Sequence, residues 1–186
     1  MRFNVIVYCT LIVLCSCSHP GGPVNGIAAK TDTAKRLADS VEHITSIGIG
    51  NVTPMQLISF ARSLEGIPYK YDSADPAQGF DCSGFITYVF NHFGIGVPRA
   101  SVDFTFMHRA ISLKDAKPGD LILFTGTDST IRRVGHMGII IKAGAGSITF
   151  IHSTSGKAKG VTETLLNGYY ISRYMKTIRI FPQNDR

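Results

Sequence analysis

The order of hydrophobic patterns along the chain restricts its fold more than any other feature: helical periodicity is confined to the first half, and from residue 121 one strand-like run follows another. The runs are Leu121–Phe124, His136–Lys142, Ser147–His152, Val161–Leu165 and Tyr170–Phe181, rich in β-branched and aromatic residues. Ahead of them, Thr53 as N-cap, Pro54 at the first helical position and Gln56 at the third form a capping-box start. Leu57, Ile58, Ala61 and Leu64 follow as an apolar stripe ending near Gly66. A second helix is expected from an N-cap at Asp81 to a stop at Gly94, with Cys82, Phe85, Ile86, Val89 and Phe93 on one face. Residues 67–80 read as a loop between the two, and a short helix from Ser101 carries Phe104 and Met107. Helices first and consecutive strands afterwards predict an α+β fold, with N-terminal helices packed on a mostly antiparallel sheet. A chain of 186 residues has room for one such domain and a short extra segment.

The first residues read as a processing signal. Met1 and Arg2 give a positive start, Val5–Leu14 is an apolar run too short to span a bilayer as a mature helix, and Leu14-Cys15-Ser16-Cys17 follows. That tetrapeptide resembles the lipobox of bacterial lipoproteins, whose cysteine becomes the acylated N-terminus after cleavage. Cys17 is the preferred acylation site; Cys15, the alternative, would set bulky Leu14 before the cut. The expected organisation is a lipoprotein signal over 1–16, a tether over 17–52, and the main domain over 53–186. The tether holds the Gly- and Pro-rich "SHPGGPVNG" and an amphipathic segment with Leu37, Val41 and Ile44 at helical spacing. Acyl chains contribute about 0.8 kcal/mol per buried CH2, enough in combination to anchor the protein to a membrane. Ser18 after Cys17 points to an outer membrane, with the domain facing the periplasm.

Charge narrows the partners. The chain carries 19 Lys and Arg against 13 Asp and Glu, a formal +6, which falls to +5 without residues 1–16 because Arg2 is lost. This excess suits an anionic surface. Nucleic acid is not expected as a partner, because no basic run interleaves with aromatics. Of the four cysteines, Cys9 and Cys15 leave with the signal and Cys17 is acylated, so Cys82 is the one thiol left in the mature domain. An unpaired thiol in an oxidising compartment needs burial or chemistry to account for it.

The chemistry reading starts from Cys82 in the first turn of its helix. There N–H groups and a neighbouring imidazolium are expected to lower a thiol pKa of about 8.5 to about 3.5–7.5. The dipole alone contributes only about 0.3–1 kcal/mol, so a base is required. Of the six histidines, His19, His43, His92 and His108 lie in tether, helix-end or loop contexts. His136 and His152 lie on two runs joined by "KAGAGS". A hairpin symmetric about Gly144 sets them directly opposite each other on one face, whereas a slip of one residue separates them. Cys82 as nucleophile, His136 as base and His152 as the residue that orients it then form a nucleophilic triad. A structural cysteine with two satisfied strand histidines is the alternative. A cofactor is not expected, and neither is a metal, since one Cys and two His give three ligands at most. Arg132 and Arg133 stand before His136 as candidates for contacting substrate carboxylates, against plain solvation.

The motifs "GIPYKY", "GFDCSGFITYVF", "GVPRAS", "KPGDLILF", "GHMGIII" and "FIHSTSGK", in that order over about residues 53–182, resemble the NlpC-type cell-wall cysteine peptidases. The resemblance implies a papain-like α+β fold. It also implies hydrolysis of amide bonds in peptidoglycan stem peptides, typically between D-γ-glutamate and a diamino acid. Cys82, His136 and His152 match the family's nucleophile, base and third polar residue, and Tyr71, Asp81 and Ser83 match positions lining the substrate cleft. Asp72 and Ser73 stand where the family often has a Gly pair, and the family's Gln in the helix after "PRAS" has either Asp103 or no counterpart here. An amidase or acyltransferase on the same fold, or a non-catalytic wall-binding lipoprotein, are the alternative readings.

Overall fold

The computed structural model describes residues 49–107 and 109–186. The expected signal, the Cys17 lipidation site and the amphipathic tether segment lie outside the described residues, as do His19, His43 and His108. No described helix is long and apolar enough to cross a membrane.

The domain opens with helix α1, Pro54–Ser63, on the expected capping box: Thr53 Oγ1 accepts from Gln56 N–H, and Gln56 Oε1 accepts from Thr53 N–H at 2.9 Å. Its stripe of Leu57, Ile58, Ala61 and Leu64 is buried. The segment expected as a loop contains a two-residue hairpin, β1 (Ala74–Asp75) and β2 (Gly79–Phe80). Asp72 adopts φ +55°, a left-handed conformation that Asp tolerates better than most residues. Helix α2, Cys82–His92, follows with Asp81 as N-cap. A 3-10 helix, Ser101–Phe106, buries Phe104.

The sheet is fully antiparallel. Strands β3 (Ala110–Ile111), β4 (Leu121–Thr125), β5 (Val134–Gly144), β6 (Ser147–Thr154), β7 (Gly160–Leu165) and β8 (Tyr174–Ile178) lie in the order β3-β8-β4-β5-β6-β7. β4 and the centre of β5 are buried on both faces, so their apolar residues run continuously rather than alternating. Leu121, Leu123, Met137, Ile139 and Ile151 face α1 and α2 in the main core. Ile122, Phe124, Ile140 and Phe150 form a second cluster with Tyr170.

Two expectations need correction. The run Tyr170–Phe181 is not one strand: Asn167 Oδ1 accepts from the N–H groups of Tyr169 and Tyr170 and starts a short helix, α3 (Gly168–Ile171), before β8. The β5–β6 hairpin is not symmetric about Gly144 either. Gly144 pairs with Ser147, and that register, carried unbroken, would set His136 and His152 on opposite faces. A bulge between Ile140 and Lys142 adds a residue to β5, so that Ile140 pairs with Phe150 and Ile139 with Ile151. The histidines regain a common face but are diagonal neighbours, not direct opposites.

Candidate active site

Gly138 makes the diagonal contact possible. A Cβ there would lie 2.7 Å from the Phe150 ring, 2.9 Å from the Ile151 carbonyl oxygen and 3.2 Å from His152 Cβ. With none present, His152 sits against β5 and its Nδ1 meets His136 Nε2 at 2.7 Å. The rings stand nearly perpendicular, at 76°. His152 Nε2 lies 2.9 Å from Thr164 Oγ1 on β7, which extends the histidine pair to a third member. With its Nε2 engaged, His136 has Nδ1 left for other chemistry.

Cys82 is positioned from the helix side. Asp81 Oδ1 accepts from Gly84 N–H at 2.6 Å and fixes the first turn of α2. The buried thiol lies against β5, where Sγ donates to the Gly135 carbonyl at 3.9 Å and Met137 N–H points at it from the other side of His136. The sulfur thus touches the backbone on both sides of the histidine. Cys82 and His136 open on one cavity of about 810 Å³, whose lining includes Thr164, Tyr170, Lys157 and Arg173.

A family model, "NlpC/P60 family", matches residues 66–179, more than half of the chain, and spans every residue of this constellation. The chain belongs to the NlpC/P60 family. It is similar to the "Gamma-DL-glutamyl hydrolase" of Bacillus subtilis, with 33% identity over 124 residues, 67% of this chain and 29% of the relative. To the "Probable peptidoglycan endopeptidase LytE" of the same organism it is 36% identical over 120 residues, 64% of this chain and 32% of that protein. The chain therefore spans about a third or less of the length of these curated relatives. A solved NlpC/P60 family protein from Bacillus cereus superposes with a TM-score of 0.62 and 30% identity, covering 72% of this chain and 42% of the other. The NlpC/P60 fold is the papain-like α+β arrangement expected from the sequence.

Within this NlpC/P60 domain the resting electrostatics differ from expectation. Burial, and then the Asp81 carboxylate, push the Cys82 thiol up to about 11, outweighing the N–H groups of Ser83, Cys82 and Met137 that pull it down. Burial also lowers both imidazoles, with the Arg173 cation acting in the same direction; His152 falls to about 3, and His136, further depressed by His152, lies well below 6.5. The resting site therefore holds a thiol and two neutral rings at neutral pH, not an ion pair. Desolvation dominates because the helix N-terminus packs onto the sheet instead of facing water.

Two of the three expected cleft residues, Asp81 and Ser83, form a separate cluster with Arg99. Asp81 accepts from Arg99 Nη1 and Nη2 at 3.0 and 2.8 Å, and Arg99 Nη1 also donates to Ser83 Oγ at 3.1 Å. Asp81 and Ser83 are buried, whereas Tyr71 is 81% exposed; none of the three lines the cavity. Arg132 donates to the carbonyls of Ser172 and Tyr174, and neither it nor Arg133 reaches the cavity. Sequence reasoning missed Thr164, Arg99 and Arg173. The "PRAS" motif drew attention to the neighbourhood of Arg99, but a strand threonine and an arginine beyond a misread helix carry no local signal.

Proposed function

We propose that this chain is a cysteine peptidase that hydrolyses amide bonds of peptidoglycan stem peptides, with the D-γ-glutamyl to diamino acid bond as its target. The observation that carries the reading is the thiol at the start of α2 lying against the backbone on both sides of His136, whose far nitrogen is held by His152. Membership of the NlpC/P60 family and the printed names of the similar relatives support it.

In this mechanism His136, neutral because its basicity is depressed, accepts the Cys82 proton at Nδ1 as the sulfur attacks the scissile carbonyl carbon. The oxyanion is stabilised by N–H groups at the start of α2. Collapse breaks the C–N bond, and the imidazolium returns its proton to the leaving amine, leaving a thioester on Cys82. Water, losing a proton to His136, attacks the thioester, and the released thiol regains that proton as the acid product departs. His152 orients the ring of His136 and stabilises its cationic form. Tyr71, Asp81 and Ser83 are proposed, on the family resemblance alone, as further substrate-binding positions outside this cavity.

Digestion of purified muropeptides, analysed by mass, tests the reading. Wild type yields the stem-peptide cut and Cys82→Ala yields none; full cleavage by Cys82→Ala, or a sugar-to-peptide cut by wild type, rejects it. The same proposal holds Cys17 to be the lipid attachment site of an outer-membrane protein. Cys17→Ser then moves the full chain from the membrane fraction to the soluble one.

A further inference from the structure

Among the described residues, the cavity beside Cys82 is lined by two cationic side chains, Lys157 and Arg173, and by no aspartate or glutamate. Four other arginines have carboxylate partners, and Arg132 and Arg133, which have none among the described residues, are exposed. Arg62 pairs with Glu163, Arg99 with Asp81 and Asp72, Arg109 with Asp185, and Arg179 with Asp120. Arg173, only 6% exposed, has no carboxylate partner among the described residues. Its guanidinium is held by neutral groups: Nε donates to the Gly126 carbonyl at 2.8 Å and Nη2 to the Thr125 carbonyl at 2.9 Å. The Tyr169 and Tyr170 rings lie 4.8 and 5.5 Å from Cζ. Nη1 makes no such bond. Since no fully buried side-chain polar atom lacks a partner among the described residues, Nη1 keeps accessible surface, and Arg173 is one of the residues lining the cavity.

A cation taken out of water without a counter-ion carries a desolvation cost that an anion arriving in the cavity offsets. The fixed plane of the guanidinium suits a carboxylate, and Lys157, exposed on the turn after β6, adds a second charge. We infer that the part of the cavity lined by Arg173 and Lys157 is a subsite for a carboxylate of the substrate. The inference rests on the peptidase reading above and deepens it: a γ-linked glutamyl residue keeps its α-carboxylate free beside the scissile bond, and the diamino acid beyond it carries another. Binding also acts on the base. Pairing Arg173 removes a charge that depresses both histidines, so His136 becomes a better proton acceptor once substrate is seated.

The test uses one stem tripeptide with a γ-D-glutamyl to diamino acid bond, made in three forms: both carboxylates free, the glutamyl α-carboxyl amidated, and the diamino acid carboxyl amidated. Cleavage by wild type is measured as kcat/KM, and binding to Cys82→Ala by calorimetry. A charge-assisted carboxylate contact predicts a loss of about 10- to 100-fold in both measurements for one amidated form, and the form affected identifies the carboxylate. Lys157→Gln and Arg173→Gln shrink that ratio, Arg173→Gln the more. Equal cleavage and binding of all three forms overturns the subsite, as does full discrimination retained in a folded Arg173→Gln. Discriminating binding without cleavage of any form keeps the subsite and overturns the peptidase reading instead.

Discussion

Thr164 Oγ1 lies 2.9 Å from His152 Nε2, and this contact bears on which nitrogen of His136 is open to a proton. For His136 to accept at Nδ1, its own proton must sit on Nε2 and be donated to His152 Nδ1. His152 is then protonated at Nε2 and donates to Thr164. The opposite chain, with Thr164 donating, puts the proton on His152 Nδ1 and forces His136 to carry its hydrogen where the thiol needs a lone pair. In the proposed mechanism Thr164 is thus a positioning residue that acts through two rings. Thr164→Val, nearly isosteric, should lower kcat/KM about tenfold, the value of one hydrogen bond of this kind, and Thr164→Ser should restore it. A purely structural threonine would not move the ring tautomers. Nitrogen chemical shifts of His136 and His152 should therefore change in the Val variant and revert in the Ser variant; unchanged shifts, with activity intact, would remove Thr164 from the relay.

Among the elements, the join between α2 and the β1–β2 hairpin sets where Cys82, the proposed nucleophile, sits. A Cβ at Gly84 would lie 2.0 Å from the Ser73 carbonyl oxygen and 3.0 Å from Asp81 Oδ1. Replacing glycine by alanine inside a helix ordinarily stabilises by about 1 kcal/mol. Here the obstacle is the backbone of a neighbouring element, which cannot swing aside like a side chain. Gly84→Ala should therefore destabilise, by about 1–3 kcal/mol in urea unfolding, and should displace the first turn that carries Cys82; a higher urea midpoint would show the contact to be slack. This is also where the sequence was most and least legible. Both helix starts were readable, because Thr53 with Gln56 and Asp81 with its glycine are local signals that the side chains satisfy within four residues. The bulge was not readable: Ile139, Ile140 and Ile141 are one apolar run, and no alternation within it shows where a residue has been added. The contact between the histidines depends on that bulge and on the empty position at Gly138, so the sequence supplied the right pair with the wrong register. Arg173 is hidden for a related reason: the strand-like composition of Tyr170–Phe181 masks the short helix that Asn167 caps.

The whole molecule stores these buried groups in their neutral forms, and its stability should follow pH accordingly. His152 has a folded pKa of about 3 against 6.5 for a free ring, and His136 is shifted in the same direction. Between those values the unfolded chain binds protons that the folded chain refuses, so the stabilisation present above pH 6.5 is lost progressively as pH falls toward 3. Each histidine adds at most about 1.4 kcal/mol per pH unit to that slope. Cys82 sets the other limit: its folded pKa of about 11 against 9.0 means that the unfolded chain loses a proton first as pH rises. Stability should therefore fall again above pH 9 from this thiol alone, leaving a plateau between about pH 6.5 and 9. Urea unfolding at half-unit pH steps checks both limbs. His152→Asn should flatten the acid limb by about one proton between pH 6.5 and 4, and Cys82→Ala should remove the thiol's share of the loss between pH 9 and 11. An acid limb equally steep in His152→Asn would mean that this ring is not held neutral by the fold. In that case the depressed basicity of His136, which keeps it a proton acceptor below pH 6.5, would need a source other than shared burial beside Arg173.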